Sequence, residues 1–596
     1  MRPSKPLPYA DCWASPEEYV DNLLQFVTTS HTFQILCGGV HVLDFFTSEP
    51  GLFSHVIPDE WQQWLLQCDP MRLIDVLMRE DIDSLSASQQ PPETLSRYIK
   101  DIRRFSLART FSSREEELPK LTWQMAVGMK PKKIHEVRHF AEYVNQLASD
   151  IEADFDNSIT HFVDFGSGQN YLGRALASAP YNKQIVAVEG REQNIAGAKE
   201  LDIMSGVIEK PKTIRNKKLW MQRVDSLIPE DQRDERALKR AAKIIKASQD
   251  YTVDFRPRRE IEAVYSPEEG KGFIRYIEGR LESGDLADVI DKLEHTHLEP
   301  PAARKDIRLM AISIHSCGNL SHHGIRSLIL NPAVQAIAIV GCCYNLLTEK
   351  LGPPTYKHPY MRPSLQALNG RVIRESAKHD PHGFPLSDRL CTYREDGIRL
   401  NITARMMACQ APHNWTEAES DGFFTRHFFR AVLQKIFLDR GVISKIYHDG
   451  TKAEDRAGDA TQSPFNMSTN PVILGSLSKS CYKSLHAYVR GAITKLTTSS
   501  DHREQRDIIQ ERLSDITDEE IAAYERQYGP RKRELSAVWT LMAFSAVVVE
   551  SLIVTDRWLF LRQHPDVVQD AWVETVFDYR QSPRNLVVVG IKKAKP

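Results

Sequence analysis

The stretch that decides the fold is residues 161–177, "HFVDFGSGQNYLGRALA". A largely apolar run, 161–165, stops at Gly166 and Gly168, and Leu172, Ala175 and Leu176 then recur at helical spacing. Such a pattern predicts strand, tight turn and helix. Glycine at both positions lets the turn bring bare backbone up to a nucleotide-like ligand.

Three ligand classes compete for a glycine turn of this kind. A phosphate-cradling P-loop needs Gly-Lys-Ser/Thr, and "GSGQNYLG" has none. A dinucleotide site prefers a third glycine where this chain has Tyr171, too large for the close contact between helix and strand. The remaining pattern, apolar-Asp-apolar-Gly-x-Gly, is that of S-adenosylmethionine sites, with Asp164, Gly166, Ser167 and Gly168 as the binding residues. A second marker is Glu189, at the tip of the next predicted strand and 23 residues after Gly166. Its carboxylate can accept both ribose hydroxyl protons. Dinucleotide enzymes carry a similar acid at about 20 residues, so Glu189 speaks for the fold more than for the cofactor. A purely structural glycine turn and a solvated strand-end carboxylate stay open as alternatives.

Outward from this turn, the chain alternates helix, strand, helix, strand from Lys132 on, as a parallel α/β sheet does. "FIRYIEGRL", "LMAISIHSCG" (309–318) and "VQAIAIVGCCYN" (334–345) supply a third, fourth and fifth strand, and the last two are continuous apolar runs, as expected when both faces are covered. The C-terminal "WVETVFDYRQSPRNLVVVGIKK" is two apolar runs joined at Ser582-Pro583, an antiparallel hairpin. A dinucleotide domain usually lacks such a hairpin. The predicted fold class is therefore α/β, a Rossmann-like class I methyltransferase sheet with a C-terminal antiparallel hairpin, plus a helical N-terminal domain and a helical insert. Its parts are 1–125, helical; 126–345, the first part of the core, with a charged insertion at 205–270; 346–534, a helical insert without strand rhythm; and 535–596, the return to the core.

The whole chain carries a formal net charge of −2, which argues against a general polyanion binder. Residues 205–260 nevertheless hold 15 Lys/Arg against 9 Asp/Glu, so a nucleic-acid site would be regional. A solvated helical face with no partner explains the same charge run. Nine irregularly spaced cysteines and no Cys-x-x-Cys pair point to a reducing compartment. The first twenty residues have no apolar signal core, and Asp11, Glu17 and Glu18 come too early for a mitochondrial presequence, which leaves cytoplasm or nucleus. The most apolar stretch, 541–561, contains Glu550, Asp556 and Arg557, and is expected as a buried helix with no membrane contact.

"PKKIHEV" (131–137), "VDFGSGQNYLGRAL", "IHSCGNL", "VGCCYN", "GFPLS" (383–387), "ARMMACQAP" (404–412), "VVESLIVTDRWLFL" and "FDYRQSPRNLVVVGIKK", in this order, resemble the methyltransferase-like protein 25 family, whose relatives include the ribosomal RNA adenine dimethylase domain-containing protein. The resemblance implies a class I methyltransferase domain using S-adenosyl-L-methionine, and leaves the substrate open. Where relatives tend to carry Lys-Gly after Gly-Ser-Gly, this chain has Gln169-Asn170. Asn tolerates left-handed backbone best among non-glycine residues, so the turn is expected to persist.

Methyl transfer is an in-line displacement that asks for alignment and, with a weak nucleophile, for a base. Enzymes that methylate exocyclic amines of bases commonly place Asn/Asp-Pro-Pro-aromatic after the fourth strand, where this chain has "HSCG". Cys317 follows the fourth strand, and Cys342 and Cys343 follow the fifth, where a thiolate could attack a base as in RNA cytosine-5 methylation. The catalytic candidates are His315, as base or positioning residue, Cys317 and Cys343. Small, buried cysteines at crowded strand ends are the plainer explanation. Lys133 and His135, beside Glu136 in the helix before the first strand, are candidates for the cofactor's carboxylate, with a solvated helix start whose acid complements the dipole as the alternative. Tyr344 and Asn345 are candidates to stack on and hydrogen-bond a planar substrate, with a buried structural tyrosine an equally open alternative. The spacing of His315, His322, His323 and the cysteines matches no standard zinc set, so no metal is expected. Possible substrates are RNA or protein. The rival reading is a non-catalytic scaffold of the same fold in RNA or ribosome assembly.

Overall fold

The computed structural model describes residues 2–48, 51–87, 89–111, 118–155, 158–208, 217–247, 270–294, 307–352, 360–362, 379–448, 464–498 and 503–594. Seven strands form one sheet: β1 (His161–Phe165), β2 (Gln184–Glu189), β3 (Phe273–Glu278), β4 (Leu309–Cys317), β5 (Val334–Cys342), β8 (Val568–Thr575) and β9 (Leu586–Lys592). Their order is β3-β2-β1-β4-β5-β9-β8. The first five run parallel, β9 pairs antiparallel with β5, and β8 pairs antiparallel with β9. The expected mostly parallel α/β sheet with its terminal hairpin is what the chain forms. The order reverses between β1 and β4, and the crevice at the carboxyl ends of these strands is where open α/β sheets bind ligands.

Period-two alternation explains the continuous apolar strands. In β5, Ala336, Ala338 and Val340 face one core while Ile337 and Ile339 face the other. The first core packs the sheet against α1 (Pro131–Phe155) and α2 (Tyr171–Ala177). The second lies on the opposite face, with Val163, Val186, Ala311 and Val588: the helix Leu320–Leu330 packs on β4 and β5, and the helices before residue 106 and those between residues 402 and 562 complete the same core. Covering both faces is what lets these strands dispense with polar residues.

At the centre of the second core lies α5 (Lys532–Arg562), preceded in the chain by α3 (Ile402–Met407) and α4 (Glu417–Asp439). Its apolar window is long and apolar enough to cross a membrane by composition, yet 94% of it is buried inside the protein. Contacts reach it from the N-terminal helices, from α3 and α4, and from β8 and β9. The stretch 541–561 is thus a buried helix, as read from its charges.

One feature departs from the expected helical insert: β6 (Lys445–Tyr447) and β7 (Met467–Thr469) form a small antiparallel ribbon. Three-residue strands are too short to display a two-residue hydrophobic period. In the charged insertion, helices form at Lys217–Leu227 and Glu235–Ala247, whereas residues 209–216 and 248–269 lie outside the described residues.

Glu550, in the middle of α5, is buried and satisfied from three directions. Arg109 Nη2 lies 2.6 Å from Oε2, Arg584 Nη1 lies 2.7 Å from Oε1, and the Tyr344 hydroxyl donates to Oε1 at 2.8 Å. Burial alone would raise its pKa, but the two guanidinium groups outweigh burial and hold it below the ordinary glutamate value. Glu550→Leu leaves two arginines without their counter-charge in the core, and is expected to cost about 3–5 kcal/mol in denaturant unfolding. Glu550→Gln, which keeps an acceptor, should cost less, and equal stability of both variants with the parent would refute this ranking.

Candidate functional site

The turn after β1 is built from alternating left-handed residues. Gly166, Gly168 and Asn170 have φ of 65°, 58° and 53°. Asn170 therefore adopts the conformation its residue type allows without a glycine. The amides of Gly166 and Ser167 donate to the Val188 carbonyl at 2.9 and 3.2 Å, tying the turn to the end of β2. The Gly168 amide donates to Glu189 Oε2 at 2.9 Å, and the Arg191 amide to Oε1 at 3.0 Å. A Cβ on Gly166 would come within 2.9 Å of Leu320 Cδ2, at the start of the helix Leu320–Leu330; that methyl can swing aside, so it is the positive φ that asks for glycine here. A Cβ on Gly168 would meet nothing nearer than 4.0 Å, which leaves open space over the turn.

Behind the turn is a buttress that reading the sequence missed. Asn170 Nδ2 donates to the Tyr276 hydroxyl at 3.0 Å, and that hydroxyl donates to Asp202 Oδ2 at 2.6 Å. Asp202 Oδ1 pairs with Arg174 Nε at 2.8 Å, and Arg174 Nη2 returns to the Gln169 carbonyl at 2.9 Å. Arg174 and Asp202 are both fully buried, so each requires the other. An arginine within a short helix that otherwise reads as apolar was the available signal.

Asp164, at the end of β1, is buried, and burial pushes its carboxyl up to about 7; Lys133 opposes the shift and Glu189 adds to it. Lys133 is thus brought to the turn, but its ammonium is held by Glu136 Oε2 at 3.0 Å. Glu136, fully buried in α1, also meets His315 Nε2 at 3.0 Å and accepts from the Ser582 hydroxyl at 2.8 Å. Burial would raise its pKa, yet the His315 hydrogen bond, the charges of His315 and Lys133 and the Ser582 hydroxyl bring it down to about 2. One carboxylate thereby joins α1, the end of β4 and the hairpin turn. His135 departs from its expected place: its Nε2 accepts the Asp578 amide at 3.1 Å, and its ring lies against His139 and Phe577. Helix geometry explains this, since residues 133 and 136 share a face that residue 135 does not.

Cys317, Cys342 and Cys343 come together at the ends of β4 and β5. Cys317 Sγ lies 3.2 Å from Cys342 Sγ and 3.3 Å from Cys343 Sγ, and the latter two are 3.6 Å apart. His315, on the same strand end, is about one-third exposed. Tyr344 cannot stack on a substrate as expected: it is 1% exposed, its hydroxyl is spent on Glu550, and Arg557 and Arg584 sit over its ring. Its bulk and neighbouring apolar core drew it inward. Asn345 stays half-buried, its Oδ1 accepting from the Cys409 thiol at 3.5 Å.

A family model described as "Methyltransferase domain" matches residues 132–350, which include β1 to β5, the glycine turn, Glu136, His315 and the three cysteines. Two curated relatives, each named "Probable methyltransferase-like protein 25", from Mus musculus and Homo sapiens, are 28% identical to this chain over 286 residues. The alignment covers 48% of this chain and 37% of each relative, so well under half of their length is matched. No solved structure matches the chain. Residues 132–350 thus carry a methyltransferase domain, in a chain similar to methyltransferase-like protein 25.

Proposed function

We propose that the protein is an S-adenosylmethionine-dependent methyltransferase, and the observation that carries this reading is the glycine turn under open space, with Glu189 bound to its backbone. The residues present suit that cofactor. Glu189 has lone pairs left for ribose hydroxyls beyond the two amides it accepts. The Ser167 hydroxyl at the turn is buried without a partner among the described residues. Asp164 is a carboxyl for which an approaching cation would lower the cost of ionising. When bound, the cofactor supplies an electrophilic methyl group on a sulfonium. With Nε2 donating to Glu136, His315 presents Nδ1 as the nitrogen that can take a proton from an acceptor, and Glu136 holds the ring in that orientation.

The acceptor is read as RNA, on the basic balance of residues 205–260, with a protein acceptor as the alternative. A non-catalytic scaffold is the alternative, kept open by Gln169-Asn170 after the glycine turn and by "HSCG" where amine methylases carry Asn/Asp-Pro-Pro-aromatic. Cytoplasm or nucleus is the proposed location.

Calorimetric titration of the purified chain with S-adenosylmethionine and S-adenosylhomocysteine separates enzyme from scaffold. Binding is expected in the parent and lost in Gly166→Arg and Glu189→Ala; a well-folded parent that binds neither ligand is the scaffold. Asp164 adds a pH dependence. Its carboxyl keeps its proton until about pH 7, so attraction for a cationic ligand appears only as it ionises. Affinity should rise as the pH goes from about 6 to about 8, and Asp164→Asn should flatten that rise. If the basic stretch tracks phosphates, RNA binding should fall steeply with salt, and a flat salt response removes the argument for RNA.

A further inference from the structure

The three sulfurs at the ends of β4 and β5 form a nearly equilateral triangle, with sides of 3.2, 3.3 and 3.6 Å. No pair is at disulfide distance, which is about 2.05 Å. A zinc ion with bonds of about 2.3 Å to three thiolates sets its sulfurs about 3.8 Å apart in a regular tetrahedron, so small outward adjustments admit one ion. It would sit on the order of 1 Å out of the sulfur plane, with its fourth position free for another ligand.

Fold features bring these atoms together. Cys317 and Cys342 are register partners across β4 and β5, on the far side of an irregularity between Ser313 and Ser316. Cys343 then leaves the strand in the left-handed region, with φ 48° and ψ 53°, although it is not a glycine. That conformation is unfavourable for an ordinary side chain, and here it accompanies an Sγ that lies beside the other two. Linear spacing hid the set, because two ligands are adjacent and the third lies on a neighbouring strand.

We propose that Cys317, Cys342 and Cys343 bind a single thiophilic divalent cation of the zinc class. Three soft sulfur ligands select such an ion over magnesium or calcium. The surroundings suit the resulting charge. The Arg557 and Arg584 guanidinium groups and the His315 ring face the cluster, Arg584 and His315 acting on Cys343 and Arg557 on Cys342. Cys343 Sγ accepts from the thiols of both Cys317 and Cys342. Each sulfur binds as a thiolate, so taking up the cation forms three metal–sulfur bonds and releases to solvent whatever thiol protons the cluster carried, with no change in oxidation state. Lower pH should accordingly weaken binding. The site borders the cleft at the end of β4 and stands whether or not the cofactor reading does.

The test uses the full chain, purified anaerobically, stripped with chelator and titrated with cobalt(II) and then zinc(II). About one equivalent should bind with a thiolate-to-cobalt charge-transfer band. Zinc should displace that band, and Cys317→Ser and Cys343→Ser should weaken binding at least tenfold, while exposed Cys12→Ser should not. If a variant fails to fold, iodoacetamide mapping of the parent decides: Cys317, Cys342 and Cys343 should be shielded by zinc and reactive after chelation, with Cys12 reactive in both states. A cobalt spectrum without the thiolate band, a band that survives both serine variants, or alkylation unchanged by zinc would each overturn the proposal.

Discussion

A carboxylate in the middle of an apolar helix has to be paired, and the pairing of Glu550 organises the edge of the cleft. Its partners come from distant parts of the chain: Arg109 follows the N-terminal helices, Tyr344 follows β5, and Arg584 belongs to the connection between β8 and β9. Arg584 then donates to the carbonyls of Ala408 and Gln410 at 2.7 and 2.9 Å, just beyond α3. "VVESLIVTDRWLFL", "VGCCYN", "SPRN" and "ARMMACQAP" thus meet at one buried ion cluster. Through Tyr344, that cluster also ties down the residue next to Cys343.

Glu136 plays the matching part on the other side of the sheet. It draws Lys133, His315 and Ser582 to one carboxylate, so "PKKIHEV", "IHSCG" and "SPRN" converge there. The connection between β8 and β9 touches both hubs, through Ser582 and Arg584. The antiparallel hairpin therefore does more than close the sheet edge; its turn sets the position of the helix before β1 relative to the end of β4, where His315 emerges.

What was legible in the sequence was local or periodic. Strand, turn and helix at 161–177 could be read because glycine and asparagine have distinctive backbone freedom, and the central strands because full burial removes polar residues from both faces. Contacts that join residues far apart left no such trace. His315 and Glu136 are 179 positions apart, and the Arg174–Asp202–Tyr276 buttress joins a helix, the helix after β2, and β3. For Tyr344 the sequence left two readings open, because an aromatic followed by a polar residue at a strand end has the same local pattern whether it faces a ligand or a buried glutamate. Only the partner, 206 positions away, distinguishes the two.

The two sides of the cleft are electrostatically continuous. Asp164, buried beneath the glycine turn, acts on Lys133, and Lys133 is held by the same Glu136 oxygen that meets His315. With Asp164 protonated, Lys133 has one carboxylate to serve, and Glu136 is shared between an ammonium and an imidazole. Lys133 therefore stands between two carboxyl groups, bonded to Glu136 and opposing the upward shift of Asp164. The helix before β1 in this way lends one ammonium to both the glycine turn and the carboxylate that holds His315, so the two sides of the cleft share a single cation.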